Sequence, residues 1–255
     1  MSTIVQDTRP HAPWRAYLLE IRCELLRMLR EPAYCVPVVM FPALFYVLFS
    51  VLLNRGNRAA AEYLLASYGV FGVIGAAMFG FGVSIAMDRE RGYLRLRRAL
   101  PTPPGALLLA RMAMAAVFAV IISAVMALIA VLLAGVSLAP AQWAGLLAVN
   151  VLGVLPFAAI GLWVGSLVGG NAAPVLLNAL YLPMAFLSGL WLPLSMLPDW
   201  IGRMAPVWPA WHLAQLAQKV VGHDGGAPAW VHVLALAAVT GACFALAQRR
   251  LSAAE

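Results

Sequence analysis

Six long apolar segments alternate with short polar stretches along the chain. These segments cover residues 34–53, 64–87, 112–136, 143–168, 172–194 and 230–247. None of them contains an aspartate, glutamate, lysine or arginine. Because about 20 apolar residues in a helix cross the roughly 30 Å hydrocarbon core of a bilayer, the pattern predicts an all-α membrane protein with six transmembrane helices.

An amphipathic helix is predicted ahead of the first span. Its apolar residues recur at intervals of four and three: Trp14, Leu18, Ile21, Leu25 and Met28. Arginines and glutamates fill most of the other positions, and a basic amphipathic helix of this kind lies in the membrane interface. It serves as a surface anchor, as a lever to a cytosolic partner, or as both. The chain is thus divided into residues 1–32, a cytoplasmic tail with this helix, and residues 33–255, the six-span transmembrane domain.

Composition and charge agree with this class of protein. Hydrophobic residues make up 64% of the chain and charged residues 11%, against about a quarter charged in soluble domains. The net charge of +7 comes mostly from arginines at span ends, which indicates orientation in the bilayer and no nucleic-acid partner. Basic residues near span ends favour the cytoplasmic side, so both termini and the loop after the second span are predicted to lie in the cytoplasm.

That loop, residues 88–111, is the most charged stretch of the chain. Five arginines lie within residues 89–98, with the acids Asp88 and Glu90 mixed among the first of them. The sole lysine, Lys219, lacks the glycine-rich context of a nucleotide-binding P-loop, and no catalytic triad or metal-binding motif is present. The one candidate for ion coupling within the spans is His232, near the outer end of the sixth span, where it is expected to be an interface histidine. We therefore predict no enzyme, no catalytic residue, no metal and no cofactor in this chain, and energy that enters from another chain through this loop.

Two further regions are candidates for a substrate pathway. The outer connection, residues 195–229, carries prolines and tryptophans and is predicted to form short helices near 199–204 and 211–221. These helices are either re-entrant, lining the exit of the pathway, or part of an interfacial loop. Candidate residues of the pathway inside the spans are the aromatic and amide side chains Phe41, Phe45, Asn150, Asn178 and Phe186. The two asparagines are expected to bond to neighbouring helices.

Two motifs carry a resemblance to a known family. The first follows span two and reads Glu90-Arg91-Gly92-Tyr93-Leu94, with basic residues and Pro101 after it; the second, residues 178–198, reads NALYLPMAFLSGLWLPLSMLP. In this order, between these spans, they are similar to the six-span permease subunits of type 2 ABC exporters. In that family the first motif forms a coupling helix that docks in a cleft of the ATP-binding subunit, the second leads into an outer re-entrant hairpin, and the amphipathic helix is the connecting helix.

The resemblance implies partners and a function. It implies a homodimer, or a pair with a similar permease, with two copies of an ATP-binding cassette subunit that holds ATP and Mg²⁺. The residues that it assigns to coupling are Glu90, Arg91, Gly92, Tyr93, Leu94, Arg97 and Pro101. The expected activity is ATP-driven export of a hydrophobic or amphiphilic substrate (a drug, an antibiotic or a lipid-like molecule) across a prokaryotic cytoplasmic (inner) membrane. The alternatives are export of a polysaccharide or lipid-linked glycan, and a scaffold or channel subunit without transport.

Overall fold

The computed structural model describes residues 13–93, 106–223 and 225–253, and all regular structure in these ranges is helical. The ten α-helices described are α1 (Pro13–Leu29), α2 (Pro32–Tyr46), α3 (Arg58–Glu90), α4 (Ala106–Leu132), α5 (Pro140–Leu152), α6 (Val154–Leu167), α7 (Ala173–Leu187), α8 (Asp199–Met204), α9 (Pro209–Val220) and α10 (Ala229–Ala253). A π-helical segment, Val47–Leu53, continues α2, and Gly153 separates α5 from α6.

Five of the helical stretches are long and apolar enough to cross a bilayer. They are Pro32–Leu53, Arg58–Glu90, Leu107–Leu132, Pro140–Leu167 and Ala229–Arg250. The fifth predicted span differs, because α7 has only 15 residues and is about 22 Å long at about 1.5 Å per residue. The chain turns after α7 at Gly189, whose φ of 75° suits a residue without a side chain. The protein is a multi-pass, all-α membrane protein.

The helix α3 lies at the centre of the bundle and contacts α2, α4, α6, α7 and α9. Small residues on two of its faces make this possible. On one face a side chain at Gly72 would meet Pro42 of α2 and Ile122 of α4. On the other face Gly82 lies against α6 and α7. Small residues let helices approach closely in a membrane, so α3 packs against neighbours on both of these faces.

Helices α3 and α6 touch through their backbones. A Cβ atom added at Gly161 would lie 2.5 Å from the carbonyl oxygen of Met78, and one added at Gly165 would collide with the carbonyl of Gly82. Only glycine fits at such positions. Gly161 and Gly165, four residues apart on α6, therefore pack directly on the central helix.

The amphipathic helix α1 packs on α4 along much of its length. Trp14 and Leu18, at the start of the predicted apolar stripe, are exposed, whereas Met28, at its end, is buried in the core. Glu24, predicted to lie on the polar face, is buried as well. The second half of the stripe thus faces protein, and its position in a membrane interface stays a prediction for the first half.

The outer connection contains the short helices that the sequence predicts. Helices α8 and α9 agree closely with the predicted ranges, and α9 packs on α3, α5 and α10. The side chain of Gln218 in α9 donates to the carbonyl of Tyr63 and to the hydroxyl of Ser67, both in α3. These bonds fix α9 to the central helix at the end opposite to Asp88.

Candidate functional site

The last turn of α3 leads directly into the predicted coupling segment. Gly92 follows the helix with a φ of 73°, and its N–H donates to the carbonyl of Arg89 at 3.1 Å. This is the usual way in which a glycine ends a helix, because the left-handed conformation costs other residues energy. The chain therefore leaves α3 at a defined point, and the side chains just before that point are held in place.

Asp88 belongs to a buried ion cluster, which we define as Glu24, Arg27, Asp88 and Arg111. The guanidinium of Arg111 donates to Glu24 Oε1 at 3.1 Å and also to Asp88 Oδ2. Arg27 donates to Asp88 Oδ1 at 3.3 Å, and its other nitrogen lies 3.7 Å from Glu24 Oε2. The cluster joins α1, α3 and α4 at one end of the bundle.

The cluster has no net charge, and three of its four side chains are almost completely shielded from solvent. Arg111 is 0% exposed, and Glu24 and Asp88 are each 2% exposed, whereas the side chain of Arg27 is 39% exposed. Two acids and two arginines balance their charges, and charged hydrogen bonds satisfy both carboxylates, as buried charges require. Arg111 was predicted to close the loop, but it lies inside α4, which begins at Ala106. The ion pairs of Arg111 explain why this helix tolerates a charge.

Arg89 and Glu90 bind the turn between α6 and α7. Arg89 donates to the carbonyls of Ser166 and Val168, the latter at 2.8 Å. A guanidinium thereby satisfies carbonyls that the end of a helix leaves without partners. Glu90 Oε2 accepts from the backbone N–H of Gly170 at 2.6 Å. Glu90 is one of the residues that the resemblance assigns to coupling, and within this chain its carboxylate bonds to the turn.

The remaining predicted coupling residues divide into two groups. Arg91 and Tyr93 are exposed, Tyr93 by 46%, and Gly92 ends the helix. Leu94, Arg97 and Pro101 lie outside the described residues. The exposed part of the motif thus begins immediately after the side chains that anchor α3 to four other helices.

Three of the five predicted pathway residues meet in one aromatic cluster between α2, α3 and the segment around α7. Ring centroids of Phe41 and Phe45 are 4.8 Å apart, and Trp191 lies 6.0 Å from Phe45 and 6.1 Å from Phe186. We define the aromatic cluster by its linked rings: Phe41, Phe45, Phe49, Tyr68, Phe71, Phe79, Tyr181, Phe186 and Trp191. Phe41 is 44% exposed, so the cluster reaches the surface of the chain.

The two asparagines lie elsewhere. Asn150 in α5 donates to Ser123 Oγ of α4 at 2.9 Å, as expected for a polar group inside a span. Asn178 was expected to bond to a neighbouring helix, but it donates to the carbonyl of Pro174 in its own helix at 3.1 Å and is exposed. The structure therefore does not join these asparagines to the aromatic cluster in one site.

A histidine pair lies at the opposite end of the bundle. The Nδ1 atoms of His212 in α9 and His232 in α10 are 3.0 Å apart, and His212 Nε2 lies 3.0 Å from the carbonyl of Pro206. Since that carbonyl accepts only, His212 donates from Nε2 and accepts at Nδ1. Burial lowers the pKa of His212, and the bond to Pro206 opposes this effect in part.

Sequence reasoning missed the ion cluster, although two signals for it exist. Glu24 lies three residues after Ile21 and four before Met28, so it shares their face of α1. Arg111 lies between two uncharged stretches that continue one helix. An acid on an apolar face and a base within an apolar helix need partners, and each is the partner of the other.

Comparison with known proteins supports the same reading of the chain. The profile of the family described as "ABC-2 type transporter" matches residues 16–221, which is most of the chain. The protein described as "Putative transport permease YvfS" of Bacillus subtilis (strain 168) is 28% identical over 218 residues, which cover 84% of this chain and 88% of the relative. With its all-helical, multi-pass architecture, this chain belongs to the ABC-2 type transporter family, in which it is a membrane permease subunit.

Proposed function

We propose that this permease subunit exports a hydrophobic or amphiphilic substrate, driven by two copies of a separate ATP-binding cassette subunit that binds ATP and Mg²⁺. The segment that begins at Arg91 and includes Leu94, Arg97 and Pro101 docks on that subunit as a coupling helix. Both termini and this segment lie on the cytoplasmic side of a prokaryotic inner membrane. The clustering of arginines at this end supports the orientation.

The observation that carries the proposal is the anchoring of the end of α3. The ion cluster ties this end to α1 and α4, and the bonds of Arg89 and Glu90 tie it to the turn between α6 and α7. A force applied just after Glu90 therefore reaches all these helices at once. An ATP-binding subunit that moves the coupling segment can in this way shift the bundle between inward-open and outward-open arrangements.

The aromatic cluster supports an apolar or amphiphilic substrate. Its rings join α2 and α3 to α7 and the following turn, and Phe41 brings the cluster to the surface of the chain. Aromatic faces offer large apolar contact areas. Phe41, Phe45 and Phe186 are accordingly the candidates for contact with a substrate.

A second copy of the chain fits the exposed face of α7. Val175 is 70% exposed and Leu182 37%, and Asn178 lies between them with its amide at the surface. In a bilayer, an asparagine gains from bonding across a helix interface. A symmetric contact between two α7 helices would give each Asn178 a partner outside its own helix. Cross-linking of Val175→Cys in a cysteine-free chain tests this homodimer, and a monomeric product would contradict it.

The central test combines binding, hydrolysis and transport. The permease is co-expressed with an ATP-binding cassette protein encoded beside it, and the complex is purified and reconstituted. We expect Leu94→Ala to lower the permease-dependent stimulation of ATP hydrolysis several-fold, while Leu52→Ala, an exposed leucine at the opposite end, leaves it unchanged. A permease that purifies alone and leaves hydrolysis unaffected would refute the proposal and favour a scaffold or channel subunit.

A further inference from the structure

An apolar cavity lies apart from the aromatic cluster, between α3, α4 and α5. Its volume is about 260 Å³, and its walls are almost entirely apolar. The residues that form most of the wall are Leu65, Gly69, Val120, Met126, Trp143 and Leu147. It exceeds the roughly 150 Å³ of an apolar cavity that holds benzene, yet it is smaller than the roughly 300–1,000 Å³ of pockets for drug-sized ligands. It therefore suits one ring or a segment of an alkyl chain.

The cavity opens towards the side of the bundle. Val120 in α4 and Leu147 in α5 line it, and they are 44% and 39% exposed. Both belong to stretches that are long and apolar enough to span a bilayer. Asn150 lies ten residues after the start of α5, or about 15 Å along the helix at about 1.5 Å per residue, which is near the middle of a hydrocarbon core of about 30 Å. Molecules that reach the cavity thus come from the lipid phase.

One polar pair, Asn150 and Ser123, interrupts the apolar wall. Asn150 is only 5% exposed, and its Nδ2 donates to Ser123 Oγ at 2.9 Å. Its Oδ1 has no hydrogen-bond partner among the residues that the structure describes. The hydroxyl of Ser123, which accepts from Asn150, still has a proton to donate. A buried amide oxygen without a donor is unfavourable in an apolar environment, so a ligand that supplies the donor is stabilised.

We propose that this cavity is a binding site for a neutral amphiphile with a hydroxyl group, which enters from the bilayer. Its apolar part occupies the cavity, and its hydroxyl donates to Asn150 Oδ1 and accepts from Ser123 Oγ. The ligand is neutral because the cavity lining contains no charged side chain. The site goes beyond the proposed transport function, since binding requires neither ATP nor the ATP-binding subunit.

Photolabelling of the full-length permease in lipid nanodiscs tests this proposal. The probe is a long-chain alcohol with a diazirine in its alkyl chain, and the control probe is the methyl ether of the same molecule, which has no donor. Mass spectrometry measures labelling of the peptides that contain residues 120–127 and 143–150. One hydrogen bond to the buried amide corresponds to about five- to tenfold stronger labelling by the alcohol than by the ether.

Matched variants separate the polar pair from the apolar wall. Asn150→Leu should reduce labelling by the alcohol to the level of the ether, whereas Thr240→Val, which removes a polar group of α10 away from the cavity, should not. Ala124→Phe fills the mouth of the cavity from an exposed position and should reduce labelling by both probes. Size-exclusion chromatography shows that each variant is folded.

Two results would overturn the proposal. Equal labelling of the native protein by alcohol and ether would mean that the cavity takes lipid chains without selecting a hydroxyl group. Undiminished labelling by the alcohol in folded Asn150→Leu would remove the assigned acceptor. If Asn150→Leu does not fold, Ala124→Phe decides the matter, because persistent labelling of these peptides in that variant places the ligand outside the cavity.

Discussion

Arg111→Met should destabilise the permease strongly, because it removes the guanidinium at the centre of the ion cluster. The change deletes the bonds of Arg111 to Glu24 and Asp88, both almost fully buried. Arg27 remains near both acids, so the cluster changes from neutral to a single uncompensated negative charge. Breaking a buried ion pair from one side costs about 3–5 kcal/mol, and the remaining arginine favours the lower end of this range.

Arg58→Met is the matched control. Arg58 pairs with Glu62 at 2.9 Å at the other end of the bundle, but its side chain is 55% exposed. Exposed ion pairs contribute about 0–1 kcal/mol. Equilibrium unfolding of the purified permease in mixed micelles, with increasing fractions of a denaturing detergent, measures the free energy of unfolding for both variants.

A neutralised quadruple variant completes the test. Glu24→Gln, Arg27→Gln, Asp88→Asn and Arg111→Met together remove two charges of each sign and leave none of the four unpaired. Replacement of a buried cluster by neutral groups is often nearly neutral in stability. We expect the quadruple variant to recover most of the loss in stability but not ATP-driven transport, since α1 and α4 are no longer held to α3 by ion pairs. If Arg111→Met lowers the free energy of unfolding no more than Arg58→Met does, the cluster does not hold these helices together, and the reasoning fails.

Three other predictions concern backbone contacts and pH. Gly92→Ala should lower the free energy of unfolding by about 1–2 kcal/mol, because its left-handed conformation is unfavourable for alanine even though space is open there. Gly202→Ala, in α8 with similar open space and ordinary backbone, should lower it little. Chemical or thermal unfolding compares the two variants. Gly165→Ala should lower the free energy of unfolding by about 1–3 kcal/mol, because the added methyl group overpacks against a carbonyl of α3. Gly241→Ala, where an added Cβ atom has no neighbour within 4 Å, should leave it unchanged in the same assay. Because the folded state lowers the pKa of His212 below its ordinary 6.5, the unfolded chain binds the proton more readily, so stability should fall as the pH drops through and below 6.5; a His212→Gln variant that shows the same pH dependence of its melting temperature would contradict this.

The sequence predicts the positions of the long apolar helices well, because hydropathy and charge along the chain largely determine where such helices begin and end. Three predicted spans, residues 34–53, 64–87 and 230–247, lie within helical stretches of the structure, and the third and fourth spans run past a helix end by a few residues. The short helices α8 and α9 fall where prolines and tryptophans indicated them. The exceptions have physical causes. Helix α4 begins at Ala106 and includes Arg111, because a charge that finds partners inside the protein does not end a helix.

The candidate site was predictable only in part. The sequence motif led to the end of α3. The choice of aromatic side chains inside the spans led to Phe41, Phe45 and Phe186, which the structure joins through Trp191. The hydrogen-bond partner of a polar side chain is determined by which distant segments the fold brings next to it. Glu90 bonds to Gly170, 80 residues away in sequence, and local pattern contains no information on such a contact.

The glycine contacts between α3 and α6 have a mechanical consequence. Where backbone lies against backbone, as at Gly161 and Gly165, no side chain can change rotamer to let one helix slide past the other. Helices α3 and α6 therefore move as one rigid body, and any bending has to occur in more flexible helices. Helix α2 is such an element, because it contains Pro37 and Pro42 and continues into the π-helical segment Val47–Leu53. Movement of the coupling segment at the end of α3 is therefore expected to leave α3 and α6 straight and to bend α2, which carries Phe41 and Phe45.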